Sequence, residues 1–271
     1  PFTWSREGEP ARGSEPVWRL RFTPKTEGVY RFTVTARDRS GEVAADPITV
    51  TCRGGTVPGF VRISEANPLS FAYADGRPFY PIGPNLLAGW APPDKPLPPE
   101  RARKQIELLE TVAANGGTFV RLRADSYYNP IESSPNTVSG FLGPGWYHQE
   151  ACAVIDRIYE HAEKRGIQVM HCLYNANTLV GGHLSRDYHR QFAWPLAESG
   201  GPCAEPEEFW TLPEARRLVR QKLRYCIARW GYSPSLLCWE FFNEVGHLER
   251  EHRIRWHRDM ARFIRETDPF G

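Results

Sequence analysis

The apolar run Leu236-Leu237-Cys238-Trp239-Glu240-Phe241-Phe242 ends on Asn243-Glu244. A carboxamide beside a carboxyl joins a neutral hydrogen-bonding group to one that can hold or release a proton. Three other apolar segments lead to polar side chains: Phe79 to Gly83 runs into Asn85, Thr118 to Arg123 carries Arg121, and Ile167 to Tyr174 closes on a phenol. Between them, loops hold Trp90, Tyr127, Tyr128, Trp194 and Trp210, with Asn129, Asn175 and Asn177 nearby. Sugar rings offer C–H faces that stack on Trp and Tyr, and their hydroxyls need planar polar groups, so these residues would make a carbohydrate reading coherent, with about half of the five loop aromatics expected in the core. Trp18, Trp230 and Trp256 lie on periodic apolar faces and are expected in the core.

Other chemistries fit less well. The 34 Lys and Arg nearly balance 32 Asp and Glu, for a formal net charge of +2, which argues against a nucleic-acid binder defined by bulk charge. Twenty-nine of those cations are arginines, because the lysines are only Lys25, Lys95, Lys104, Lys164 and Lys222; they alternate with acids along helix faces, as solvated surfaces do. No apolar run approaches the ~18 residues of a membrane span. The six cysteines form no CxxC pair and read as buried thiols; the eight histidines form no HExxH. That spacing offers no zinc site and leaves only carboxylate-bound calcium open as a metal. No GxGxxG or GxxxxGKS follows any strand, so no organic cofactor is implied.

The elements that must position these groups are legible from periodicity. Residues 17 to 52 alternate polar and apolar, with Trp18, Leu20 and Phe22, then Tyr30, Phe32 and Val34, then a strand near Ile48 to Thr51. About three antiparallel strands with one wet face follow, the turn Asp38-Arg39-Ser40-Gly41 separating the second from the third. So small a sheet is marginal alone, so it is expected to be a partial β-sandwich module over residues 1–56 whose other strands precede Pro1. After a Gly-rich linker, Phe60 to Ile63 and Ser70 to Ala74 predict a hairpin that Asp75-Gly76 turns into Pro78 to Gly83.

Strands and helices then alternate over residues 57–271. Phe79 to Gly83 is the first expected strand, and Pro98-Pro99 opens a helix with Ala102, Ile106, Leu109 and Ala113 on one face. Thr118 to Arg123 is the second strand, and a helix over 150–165 stops at Gly166 ahead of the third. A long loop over 175–210 precedes Thr211-Leu212-Pro213-Glu214, a capping box starting a helix to Trp230. A fourth strand and a helix over about 250–266 complete four βα units, which require a parallel sheet covered by helices. A doubly wound sheet and half a barrel both fit that string. The first strand-to-helix loop holds Pro84, Asn85 and Trp90 where a phosphate cradle would need glycines, and this favours the barrel.

On these residues the chain resembles a known group. Trp239-Glu240-Phe241-Phe242-Asn243-Glu244 resembles the Asn-Glu signature of clan A glycoside hydrolases, around the family 5 cellulases and mannanases, and Phe119-Val120-Arg121 is similar to that family's arginine. The resemblance covers roughly residues 60 to 271, and more weakly the leading sheet. It implies an α/β fold, the first half of a (β/α)8 TIM barrel preceded by a partial antiparallel β-sandwich. It also implies a retaining glycosidase acting on a β-linked glycan.

By the same resemblance Glu244 is the general acid/base, Asn243 the partner of the sugar 2-hydroxyl, and Arg121 an orienter of active-site carboxylates; Tyr174, Trp90, Asn85 and Trp210 are expected to bind substrate. A glycosidic oxygen is a poor leaving group and must receive a proton while an opposed carboxylate attacks the anomeric carbon. The family's nucleophile ends strand seven, so the chain is expected to be a fragment, truncated at both ends and inactive without that residue. Glu240 reads as a hydrogen-bonded core carboxylate, His171 as a core histidine, and Asp125, Glu132 and Asp187 as solvated loop acids. Export to the periplasm or exterior is implied by the resemblance, although no leader is seen. The competing class is a non-catalytic carbohydrate-binding or scaffolding protein with a relic barrel. No oligomeric state is legible.

Overall fold

A computed structural model of the chain describes residues 2–4, 10–12, 19–55, 58–89, 95–96, 98, 100–124, 128–136, 140–176, 193, 195–245 and 250–270. In chain order the leading part holds β1 (Phe2–Trp4), β2 (Pro10–Arg12), β3 (Gly28–Phe32), β4 (Thr35–Asp38), β5 (Gly41–Ala44) and β6 (Ile48–Cys52). A meander follows, β7 (Val61–Ile63), β8 (Phe71–Tyr73) and β9 (Pro78–Phe79). Then come β10 (Asn85–Leu86), α1 (Arg101–Ala114), β11 (Phe119–Arg123), α2 (Gln149–Arg165), β12 (Gln168–Asn175), α3 (Pro213–Trp230), β13 (Leu236–Asn243) and α4 (Arg250–Thr267).

The last four strands form one parallel sheet in the order β10-β11-β12-β13. Sequential order with helical crossovers is the pattern of a βα barrel wall. Alternation in β11 shows how its two faces differ: Val120 and Leu122 are fully buried under the helices, whereas Phe119, Arg121 and Arg123 on the opposite face are half-buried. The core therefore lies between sheet and helices, where Leu109, Ile155, Ile158, Val169, Leu223 and Trp230 join Val120 and Leu122. Burying one such aliphatic side chain contributes ~1.5–3 kcal/mol.

Helix boundaries follow local chemistry. Helix α2 begins after His148, whose ring nitrogen accepts from Ala151 N–H at 3.3 Å, and it ends at Gly166, with φ of 66°. Only glycine reaches that left-handed conformation without a steric cost, so the helix stops there. Helix α3 begins at Pro213, but Thr211 and Glu214 form no capping box. Glu214 instead forks to Arg217, and the box forms one turn earlier, where Glu205 and Glu208 exchange backbone bonds at the head of the 3₁₀ turn Pro206–Trp210. The signal was displaced because two acids at the right spacing precede the same proline-rich corner.

Three expectations need correction. The first strand of the parallel sheet is Asn85–Leu86, and Phe79 belongs to the antiparallel meander with β7 and β8. Pro81 and Pro84 have no N–H to donate, so Phe79 to Gly83 cannot make a full ladder. The chain still lies against β11 there: Thr118 N–H donates to Ile82 O at 2.8 Å, and Arg121 N–H to Pro84 O at 3.1 Å. A Cβ at Gly83 would sit 1.7 Å from Phe119 O, so only glycine fits. Second, residues 19–24 form no strand. Arg21 instead reaches Asp156 of α2 at 2.9 Å, Thr23 donates to Tyr232 O, and the Phe22 ring lies 6.2 Å from that of Phe270.

Third, residues 28–52 are antiparallel as expected, with Asp38 and Gly41 facing each other across the turn, but they form two ribbons, β3 with β6 and β4 with β5. Val29 remains 69% exposed, and the facing sheet of a sandwich is not among the described residues. Four of the cysteines, Cys152, Cys172, Cys203 and Cys226, are buried thiols, Cys52 is half-buried, and Cys238 is exposed on β13.

His171 on β12 is a core histidine, as read from the sequence. It is wholly buried, its Nδ1 pairs with the Tyr159 hydroxyl at 3.1 Å, and Trp230 and Trp239 flank its ring. Burial, reinforced by the Lys222 charge, pushes its pKa down to about 3. The unfolded chain titrates near 6.5, so between pH 6.5 and 3 the unfolded state binds the proton that the native state refuses, and stability falls as pH falls through that window. At most this site contributes ~1.4 kcal/mol per pH unit there. His171→Phe is expected to flatten the acid limb of urea midpoints measured from pH 7 to pH 4; an unchanged slope would show that His171 does not govern it.

Candidate active site

Arg121 projects from β11 on the face away from the helices, where neighbouring strands bring four groups within its reach. Its Nε donates to Glu240 Oε2 at 2.6 Å and its Nη2 to Glu240 Oε1 at 2.5 Å. Nη2 also donates to Asn243 Oδ1 at 2.9 Å, and Nη1 to Asn85 Oδ1 at 3.1 Å. Glu240 and Asn243 lie on β13, two strands away, and adjacent strands are spaced by about 4.8 Å. The guanidinium therefore crosses β12 over Cys172, whose Sγ lies 3.8 Å from Nη2. A small residue at 172 leaves room for that crossing.

The arrangement has a definite electrostatic sense. Arg121 and Glu240 side chains are 17% and 23% exposed, so the pair is only partly screened, and the two parallel bonds are the geometry that a planar guanidinium favours. Glu240 is thus a paired, hydrogen-bonded carboxylate, but it is half-buried on the face away from the helices and not the core carboxylate that its depth in the strand suggested. Because Asn243 Oδ1 accepts from Arg121, its amide is turned so that the NH₂ group stays available as a donor. Ala176 N–H donates to Asn243 O at 3.0 Å, pinning the backbone at the strand end.

Glu244 follows immediately and has a φ of 59°, the one positive-φ residue other than glycine among the described residues. That conformation costs about 1–2 kcal/mol for a residue with a Cβ. The turn carries the exposed Glu244 out of the strand at its C-terminal end, where barrel active sites form. Strain of this kind concentrates at functional positions.

The other expected site residues divide. Asn85 joins the cluster through Arg121. Tyr174 does not: it is buried on the helix side, its ring stacked 5.1 Å from Phe242 and lying under Lys222 Nζ at 4.0 Å. Trp210 is likewise a core residue, packed against Phe209, Phe242 and Trp256. Tyr174 pairs with Phe242 across β12 and β13 and packs with it among the buried aromatics, and Trp210 closes the 3₁₀ turn Pro206–Trp210 that packs on the same group. Asn129 is buried and bonded to Gln105 and Arg123 O, which makes it a loop anchor. Tyr128 lies beside the Arg123 guanidinium. Trp90, Tyr127, Trp194, Asn177, Asp125 and Asp187 lie outside the described residues.

Glu132 is not a solvated loop acid. Its side chain is wholly buried, it accepts from Gly145 N–H at 2.6 Å, and its Oε2 lies 3.6 Å from Lys222 Nζ. Burial pushes its carboxyl pKa up and the Lys222 charge opposes that rise. Trp146, which the sequence reading passed over, stands 64% exposed on the turn ahead of α2. The Gly143-Pro144-Gly145 stretch before it was the available signal, because it predicts a turn whose next side chain need not pack.

Mannan endo-1,4-beta-mannosidase 2 of Oryza sativa is 25% identical over 209 residues, covering 72% of this chain and 43% of that protein. Mannan endo-1,4-beta-mannosidase 2 of Arabidopsis thaliana is 22% identical over 174 residues, covering 59% and 37%. The chain resembles the family 5 glycoside hydrolases. The family 5 mannosidase structure from Rhizomucor miehei superposes with a TM-score of 0.53 at 16% identity, covering 80% of this chain and 55% of that one. A Bacteroides vulgatus protein assigned as a glycoside hydrolase superposes over 100% of this chain and 49% of its own, with a TM-score of 0.57 at 16% identity. These likenesses show an α/β, TIM-barrel-like fold. No family model matches the chain. The chain spans less than half the length of the curated relatives named here.

If Arg121 organises this cluster, removing it leaves Glu240 charged and unpaired. Arg121→Met is expected to destabilise the protein by about 2–4 kcal/mol in urea titrations, and Arg121→Met with Glu240→Leu to recover part of that loss. Losses for Arg121→Met and Glu240→Leu alone that add up to the loss in the double variant would show that the pair is not coupled.

Proposed function

We propose that this chain is part of a retaining glycoside hydrolase that cleaves β-1,4-linked mannan, with Glu244 as its general acid/base. The observation that carries the reading is the Arg121 cluster, which holds Asn243 and presents Glu244 at a strand end of a barrel-like parallel sheet. Similarity to the rice and Arabidopsis mannosidases supports the substrate class.

The chemistry then runs in two steps. In the first, Glu244 donates its proton to the glycosidic oxygen as the C–O bond breaks, and an opposed carboxylate forms an ester with the anomeric carbon. In the second, Glu244 takes a proton from water, whose oxygen attacks the same carbon and releases the carboxylate. The Asn243 NH₂ donates to the 2-hydroxyl of the sugar being cleaved. Glu240 stays paired with Arg121 and does not react. In this reading the opposed carboxylate belongs to polypeptide outside the 271 residues, so the chain alone does not turn over. Residues 1–56 are taken as a leading β module and 57–271 as the barrel portion.

The protein is proposed to act outside the cytoplasm on its polymeric substrate. No helix among the described residues is long and apolar enough to cross a membrane.

The test is Glu244→Gln in the full-length protein, assayed on β-1,4-mannan. Hydrolysis is expected to fall by at least about 100-fold while the affinity for mannooligosaccharides is kept. Turnover equal to wild type would remove Glu244 from the mechanism, and binding without turnover in the wild-type protein would favour a non-catalytic glycan binder.

A further inference from the structure

The turn that carries Trp146 is built unusually firmly for a surface loop. Trp146 N–H donates to Gly143 O at 3.3 Å, closing Gly143-Pro144-Gly145-Trp146, with both glycines at positive φ (93° and 82°). Gly145 N–H donates to the buried Glu132 carboxylate, and Gly145 O accepts from Gln221 of α3 at 3.4 Å. Lys222, itself buried, faces Glu132 and donates to Leu173 O at 3.3 Å. On the other side of Trp146, the Tyr147 ring stacks on Tyr225 with centroids 4.1 Å apart. A buried carboxylate and ammonium are costly, and here one of the carboxylate oxygens is committed to holding this turn.

What the turn presents is apolar. Of the five tryptophans whose burial is described, Trp146 alone is exposed, and Leu142 beside it is 69% exposed. Next to it, on the outer face of α3, is a strip of planar polar groups. Arg217 Nη1 donates to Gln221 Oε1 at 3.1 Å, and Arg217 forks to Glu214 at 2.8 and 2.7 Å. An exposed aromatic side chain on a fixed backbone, whose turn is bonded at Gly145 to the helix that carries this amide, guanidinium and carboxylate, suits a pyranose: a C–H face to stack and hydroxyls to bond. This surface is on the helix side of the sheet, whereas Arg121 and Glu240 are on the other face.

We propose that Trp146, with Gln221 and Arg217, forms a surface subsite that stacks a sugar ring of a polymeric β-glycan apart from the Glu244 site. The proposal rests on the reading of the protein as one that acts on β-glycans. Long chains would then be held to the protein between cleavage events, while short oligosaccharides that fill only the active site gain nothing.

The test is affinity electrophoresis of the full-length protein in gels containing galactomannan, alongside hydrolysis of a short mannooligosaccharide. Trp146→Ala is expected to weaken retardation about fivefold and leave oligosaccharide turnover unchanged, with Trp146→Phe in between. Gln221→Ala keeps the ring and tests the polar arm; it is expected to weaken retardation about twofold. Retardation of Trp146→Ala equal to wild type, or a wild-type protein not retarded at all, overturns the subsite. So does a change in molecular mass of the variant in solution, which would make Trp146 a contact between copies. Loss of hydrolysis in Glu244→Gln leaves this readout untouched, and a Trp146-dependent retardation without any turnover would sink the catalytic reading while the subsite stands.

Discussion

A single guanidinium joins the four parallel strands on the face where the chemistry is proposed. Arg121 has no counter-charge on its own strand, and on a half-covered sheet face it needs one, so the neighbouring strands must supply acceptors at the right height. Asn85, Glu240 and Asn243 do so, and Cys172 is small enough to be crossed. This requirement links the register of β10 to that of β13 through a side chain. It also orients the Asn243 amide, and the strained turn at Glu244 begins from that fixed point.

The opposite face of the same sheet follows a different rule. There the strands meet helices, and the buried charges named here face opposite charges. Asp156 accepts from Arg229, Arg21 and the Trp230 indole, tying α2 to α3 and to the leading segment. Glu132 and Lys222 face each other beneath the Gly143–Trp146 turn, and burial keeps His171 uncharged. Such pairs hold elements in one arrangement, and their value lies in specificity of position as much as in stability. The helix side thus anchors loops, and the polar cluster of the opposite face is where the site is proposed.

Much of this architecture was legible in the sequence because periodicity reports burial. The helices read over 150–165 and up to Trp230, and the strands read as Ile167 to Tyr174 and Leu236 to Phe242, lie within a residue of the observed elements, because spacing and Gly or Pro at helix ends mark them. What escaped is what periodicity does not encode. Pro81 and Pro84 moved the first strand of the sheet to Asn85. Tyr174, paired with Phe242, and Trp210, on the 3₁₀ turn Pro206–Trp210, lie in the core, although both types suit a sugar platform. Glu132 reads as an ordinary loop acid until Lys222, ninety residues away in sequence, is seen to face it, and among the described tryptophans the exposed one is Trp146.

The central claim is that the Arg121 cluster positions Asn243 and Glu244 around a glycosidic bond. The most direct measurement is a crystal structure of the full-length Glu244→Gln protein with a β-1,4-mannooligosaccharide bound. The account predicts the substituted side chain within hydrogen-bond distance of a glycosidic oxygen, and the Asn243 amide on the 2-hydroxyl of the adjoining sugar. An oligosaccharide bound elsewhere, with Asn243 and residue 244 facing only solvent, would contradict it.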